Sequence, residues 1–134
     1  MFIPVDLPLC EINQTTHALL VLPDGNVLIG SAAGLFLLEK SCKHLKKMAD
    51  YEVLSLHRDS FGRFWVGTNS NGLYLLDHNF NLTEHFCADI LDKKALSGNE
   101  IRAFCEDFSG VLWIGLIGEG VDKVNINDKK IELY

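Results

Sequence analysis

The sequence predicts an all-β protein built of three four-stranded antiparallel repeats, and three observations point there. Nine of the eleven glycines fall into three sets: Gly25, Gly30 and Gly34; Gly62, Gly67 and Gly72; Gly110, Gly115 and Gly120. The sets start 37 and then 48 residues apart, a spacing typical of stacked structural repeats. The apolar runs around them are short, bounded by Gly, Asp, Asn or Pro, and rich in Val, Ile, Phe, Trp and Tyr, which is the signature of strands.

Each repeat yields its elements in the same order. A first run precedes the first glycine (Ala18–Leu22, Val53–Leu56, Ile101–Cys105). Pro23-Asp24-Gly25 and Phe61-Gly62-Arg63 then read as tight hairpin turns, with Gly supplying the positive φ. Asp59 and Asp107 stand three residues before their turn glycines, where a carboxylate accepts backbone N–H groups. A second run carries Trp65-Val66-Gly67 and Trp113-Ile114-Gly115, matched in the first unit by Leu28-Ile29-Gly30. The third runs are Leu35–Leu38, Leu73–Leu76 and Val121–Ile126. The fourth lie around Leu45–Met48, Leu82–Phe86 and Lys130–Tyr134. Ser41–Asp50 is the one stretch with an alternative helical reading. Four short strands per unit is the plan of a β-propeller blade. A blade is covered on both faces, so its strands need not alternate between apolar and polar. The expected blades are 15–50, 51–90 and 99–134 of a single segment 1–134, with 1–14 as an N-terminal strand or stub. Three blades make a partial propeller or a unit that assembles into a ring.

Composition narrows the partners. At 134 residues, 48% hydrophobic and 22% charged, the chain is long enough to bury a core without staples. Its formal charge of −6 argues against nucleic acid, which calls for a basic footprint. No apolar run is long enough to insert in a bilayer, and the opening Met1-Phe2-Ile3-Pro4-Val5-Asp6 is no signal peptide. Cys10, Cys42, Cys87 and Cys105 lack metal-ligand spacing and are expected to be reduced and mostly buried, although four cysteines also permit two disulfides. The expectation is therefore no metal and no cofactor.

The pattern Asp-x-x-Gly-x-Leu/Phe-Trp-Ile/Val-Gly-Thr, followed by Gly-Leu-Tyr and Asp, resembles the two-component regulator propeller repeat. Unit two carries it through Asp59, Gly62, Trp65, Val66, Gly67, Thr68, Gly72, Leu73, Tyr74 and Asp77. Unit three keeps Asp107, Gly110, Leu112, Trp113, Ile114, Gly115 and Gly120, with Leu116 in place of Thr. Unit one is degenerate: Leu22 replaces the Asp, Leu28 the Trp and Ser31 the Thr. The resemblance implies the propeller sensor region of a bacterial hybrid two-component histidine kinase. Many of these respond to polysaccharide breakdown products. The implied location is the periplasm if the chain is a fragment, and the cytoplasm if it is complete.

A repeated residue serves the repeat, so Asp59, Gly62, Trp65, Gly67, Asp107, Gly110, Trp113 and Gly115 are read as structural. Ligand contacts belong to residues that break the pattern in the loops at one channel end. These are Asn69, Asn71 and Glu119 between the second and third strands, and Glu52, Asn99, Glu100 and Arg102 where the inner strands begin. Their amides and charges suit sugar hydroxyls or a polar ligand. No catalytic set is identified. The five histidines are scattered, although stacked blades could bring His17 and His57 into a channel, and the Gly-rich segments follow the blade pattern rather than a nucleotide loop. Three functions stay open: a ligand-binding sensor segment, an interaction scaffold acting through an assembled ring, and a propeller lyase or hydrolase.

Overall fold

The structure, a computed structural model, describes residues 1–5, 15–127 and 132–133. The proposed strand or stub over 1–14 lies largely outside these residues, as do Cys10 and most of the last predicted strand. Twelve strands form three four-stranded antiparallel sheets with no helix among the described residues. Sheet one holds β1 (Thr16–Val21), β2 (Val27–Ser31), β3 (Gly34–Leu38) and β4 (Leu45–Ala49) in chain order. Sheet two holds β5 (Val53–Arg58), β6 (Phe64–Thr68), β7 (Leu73–Leu76) and β8 (Leu82–Phe86). Sheet three holds β9 (Ile101–Glu106), β10 (Val111–Leu116), β11 (Gly120–Asn125) and β12 (Glu132–Leu133).

The sheets stack face to face, with β5 lying beside both β1 and β9, so the innermost strands share one axis. The row does not close on itself, and the molecule is a partial propeller. Two seams carry most of the core. Leu28, Leu35, Val53, Phe64 and Val66 fill the first, between sheets one and two. Trp65, Leu73, Ile101, Leu112 and Ile114 fill the second, between sheets two and three. At 25 cal/mol per Å² of apolar surface, such burial is the main favourable contribution a stacked blade receives.

The middle glycine of the first and second sets lets the next sheet approach. A Cβ at Gly30 would stand 2.5 Å from Val53 Cγ1, and one at Gly67 would run into Ser55 and Ile101. Val53 and Ile101 open the inner strands of the following sheets, so each glycine seats the first residue of its neighbour. The inner strands also share an irregularity. Each slips register near its start, leaving His17, Leu54 and Arg102 as the extra residue of a β-bulge.

One alternative reading falls and one expectation is corrected. Ser41–Asp50 is not helical: Leu45–Ala49 pairs with β3, because the open edge of β3 offers a ladder that an isolated short helix lacks. The described cysteines are free, as expected, but Cys42, Cys87 and Cys105 are exposed rather than buried. Cys105 pairs with Trp113 on the face of sheet three turned away from sheet two, so its apolar run is covered on one side only.

Candidate functional site

The turn aspartates do more than fix turns. Asp59 Oδ1 accepts the backbone N–H groups of Phe61 and Arg63, each at 2.9 Å. Its Oδ2 accepts Arg63 Nε at 2.8 Å and the indole Nε1 of Trp65 at 2.9 Å. Trp65 is fully buried and Asp59 is 1% exposed, so neither polar group has water as an alternative partner. Asp107 repeats the arrangement, accepting from Ser109, Val111 and, at 3.0 Å, Trp113 Nε1. The Ser109 hydroxyl first, then the Trp113 indole and the Val111 amide, hold the Asp107 carboxyl far below the ordinary carboxylate range. Sheet one drops both members together, with Leu22 and Leu28 in their places, and fills the same position with aliphatic packing.

The loops after the second strands and the segments before the inner strands lie together at one end. Backbone bonds tie them in register: Ala32 N to Thr15 O, Asn69 N to Glu52 O, and Ile117 N to Glu100 O. Thr15, Glu52 and Glu100 are therefore equivalent positions. Glu52 joins two sheets, its Oε2 lying 2.9 Å from His17 Nε2 and its Oε1 accepting Asn69 Nδ2 at 3.0 Å. Gly72 N donates to Asn99 O, which draws the Asn69–Asn71 loop to Asn99, whose Oδ1 accepts the amide of Ala88. Glu119 packs over Gly98. The geometry thus joins Glu52 to Asn69 directly and Asn71 to Asn99 through Gly72. Glu100, Glu119 and Arg102 belong to the sheet-three side of the same end.

His17 was not among the candidate contacts. The sequence signal is its place, the extra bulge residue two positions after the Glu52-equivalent Thr15, which in sheet three is Arg102. A second histidine link, His57 Nε2 to Glu106 Oε1 at 3.0 Å, ties sheets two and three at the opposite end of the inner strands. Among the described residues, no group of three or more His, Cys, Asp or Glu is placed to hold a metal ion, and no helix is long and apolar enough to cross a membrane.

Beside this end an aromatic stack lies on the sheet-two side of the first seam. Tyr51 lies parallel to Tyr74 at 4.2 Å, and Tyr74 lies parallel to His85 at 3.9 Å. Burial first, and the neighbouring Tyr74 second, push the Tyr51 hydroxyl from 10.0 up to about 12. The folded state holds this proton more tightly than the unfolded chain. The stabilisation is therefore complete below pH 10 and is lost as pH rises through about 12. An ultraviolet titration should show Tyr51 ionising late, together with Tyr74, which burial also raises above its usual 10.0, with alkaline unfolding over the same interval. Ionisation of every tyrosine near pH 10 would contradict it.

Residues 47–70 and 95–118 match the family model of the two-component regulator propeller. These segments resemble two-component regulator propeller repeats. Each runs from before an inner strand through the Trp-x-Gly strand, so the matched unit contains the Asp–Trp pair and the seating glycine together. No curated protein matches the chain in sequence. Among solved structures, the extracellular domain of the hybrid two-component system BT3049 of B. thetaiotaomicron is similar, with a TM-score of 0.71 and 23% identity over 81% of the chain. That of BT4673 from the same organism gives 0.71 and 14% over 88%. Streptogramin B lyase gives 0.67 and 20% over 97%. At these identities the likeness establishes the fold. The chain spans 14% and 18% of the two extracellular domains and 43% of the lyase.

Among the described residues, the third repeat presents its front face without a neighbour. Trp113, the counterpart of fully buried Trp65, is 40% exposed, and Val121 beside it is 63% exposed. Lys123 lies over the Trp113 ring at 5.5 Å. A Cβ at Gly115 would meet only Ala103, where the equivalent Cβ at Gly67 meets the next sheet.

Proposed function

We propose that the chain is a non-catalytic, ligand-binding part of a propeller input region, of the kind that hybrid two-component systems carry outside the membrane, and that its ligand is a carbohydrate. In this reading the protein works in the periplasm, with the ring completed by further blades of a longer chain or by a second copy. The observation that supports it is the His17–Glu52–Asn69 group, which bridges two sheets at the end where the inner strands begin. The recurring Asp, Trp and Gly positions are used by the repeat itself, whereas these three side chains depart from it. Asn71, Asn99, Glu100, Arg102 and Glu119 surround the same end with further donors and acceptors, as recognition of hydroxyls needs.

Isothermal titration with oligosaccharides from digested polysaccharide tests this. The expected result is saturable binding that leaves the sugar intact and is weakened about tenfold by Glu52→Gln, the worth of one charged hydrogen bond. Unchanged affinity in that variant would remove Glu52 from the site, and turnover of the sugar would make the protein an enzyme. A second reading, a scaffold that acts through an assembled ring, is favoured by the bare apolar front face around Trp113.

A further inference from the structure

The two seams differ at the end where the inner strands finish. At the second seam Glu106 closes the gap, bonding His57 Nε2 and accepting the backbone N–H of Ser60 at 3.2 Å. At the first seam the register puts Arg58 in place of Glu106, Leu20 in place of His57 and Pro23 in place of Ser60. Leucine offers no polar atom and proline no N–H. Nothing answers the Arg58 guanidinium, which makes no hydrogen bond or ion pair among the described residues.

The first seam consequently stays open there as a cleft of about 200 Å³. Its floor is apolar: Leu22 and Phe64 are buried, and Phe80 stacks on Phe64 with ring centroids 4.8 Å apart. Phe80 holds φ at +65° in the turn between β7 and β8, as Cys42 does at +60° in the matching turn of sheet one. The rim is polar, with Arg58 and His78 on sheet two and Asp24 on sheet one. Gly62 leaves the guanidinium its seat, since a Cβ there would stand 3.3 Å from Arg58 Nη2. Asp24 is engaged by its own turn, accepting the Asn26 amide at 2.9 Å and Nδ2 at 3.3 Å.

We propose that this cleft binds a small monocarboxylate with a compact apolar or aromatic body. The body covers Leu22, Phe64 and Phe80, and the carboxylate takes the two-pronged bond that a guanidinium offers. The size class follows from the volume, which is below the roughly 300–1,000 Å³ of sites for drug-sized ligands. The single charge follows from Asp24, which keeps a negative group at the far rim and opposes a second anion. This site lies at the opposite end of the inner strands from the Glu52 group and stands independently of the carbohydrate reading.

The test uses benzoate as the probe and its neutral isostere benzamide as the control, followed by amide NMR shifts of the whole chain. Benzoate should produce saturable shifts confined to Asp24, Gly62, Phe80 and their neighbours. Benzamide should bind about tenfold more weakly or not at all, the loss expected for one charge-assisted bond. Arg58→Gln should bring benzoate down to the benzamide level, with the rest of its spectrum unchanged because Arg58 is exposed. Absent or scattered shifts with benzoate, equal binding of benzamide, or full affinity in Arg58→Gln would each overturn the proposal.

Discussion

Replacing both Asp59 and Trp65 with leucine is expected to cost the protein much less than the two single replacements added together. Trp65→Leu alone leaves a cavity in the second seam and takes one of four hydrogen bonds from a carboxylate that is 1% exposed. Large-to-small changes at such sites cost about 3–5 kcal/mol. Asp59→Leu alone leaves a buried indole N–H unsatisfied and strips Arg63 and the Phe61 amide of their acceptor. Removing one partner of a buried charged network costs a similar 3–5 kcal/mol or so. The double variant reproduces what sheet one already contains, Leu22 and Leu28, which pack without any polar group to satisfy. Chemical denaturation of all four proteins should give a favourable coupling of about 1–3 kcal/mol. Strict additivity would mean that the Asp–Trp bond is incidental and that the two residues serve the repeat separately.

Gly67→Ala and Gly115→Ala are the same substitution at equivalent positions, and opposite outcomes are expected. At Gly67 the new methyl meets Ser55 Oγ, which is itself bonded at 2.9 Å to Ile101 O, and the Cβ and Cγ2 of Ile101. The seam must open or the inner strand must move, at a cost of about 3 kcal/mol or more. At Gly115 the nearest neighbour is Ala103 Cβ at 3.4 Å, an ordinary contact. In the monomer that change should fall within about 0.5 kcal/mol of neutral. If copies of the chain cover the front face of sheet three, Gly115→Ala becomes as disruptive as Gly67→Ala and lowers the mass seen by light scattering. Equal tolerance at both sites would contradict the seating role assigned to the glycine.

Much of the fold could be read from the residues because its constraints are local. A turn needing positive φ, a strand needing short apolar runs and a seam needing a missing side chain each leave a mark at a fixed place in the repeat. The Asp–Trp bond was less visible, since it spans six residues and depends on how far β5 extends beyond its pairing with β6. Its trace is that unit one loses both residues at once. The candidate contacts were found as a zone and not as a set of bonds. Glu52 and Asn69 meet through a backbone link between loops 17 residues apart, and His17 reaches Glu52 only because of the bulge and the stagger of adjacent sheets. Cys105 is exposed because an apolar run implies burial only when both faces of its sheet are covered, and among the described residues sheet three has one face bare, whereas Cys42 and Cys87 lie outside the strands.

The bulge at the start of each inner strand separates two demands that usually compete. Residues paired in the ladder must be small or β-branched to suit the glycine across from them, as Ala18, Ser55 and Ala103 are. The extra residue is released from that demand, and within one chain it is a histidine, a leucine and an arginine. A molecule built this way can change the chemistry of its rim one repeat at a time while every sheet keeps its register. Diversity of recognition then accumulates by single substitutions at one slot per blade wherever that slot reaches the surface, as at His17 and Arg102 but not at buried Leu54.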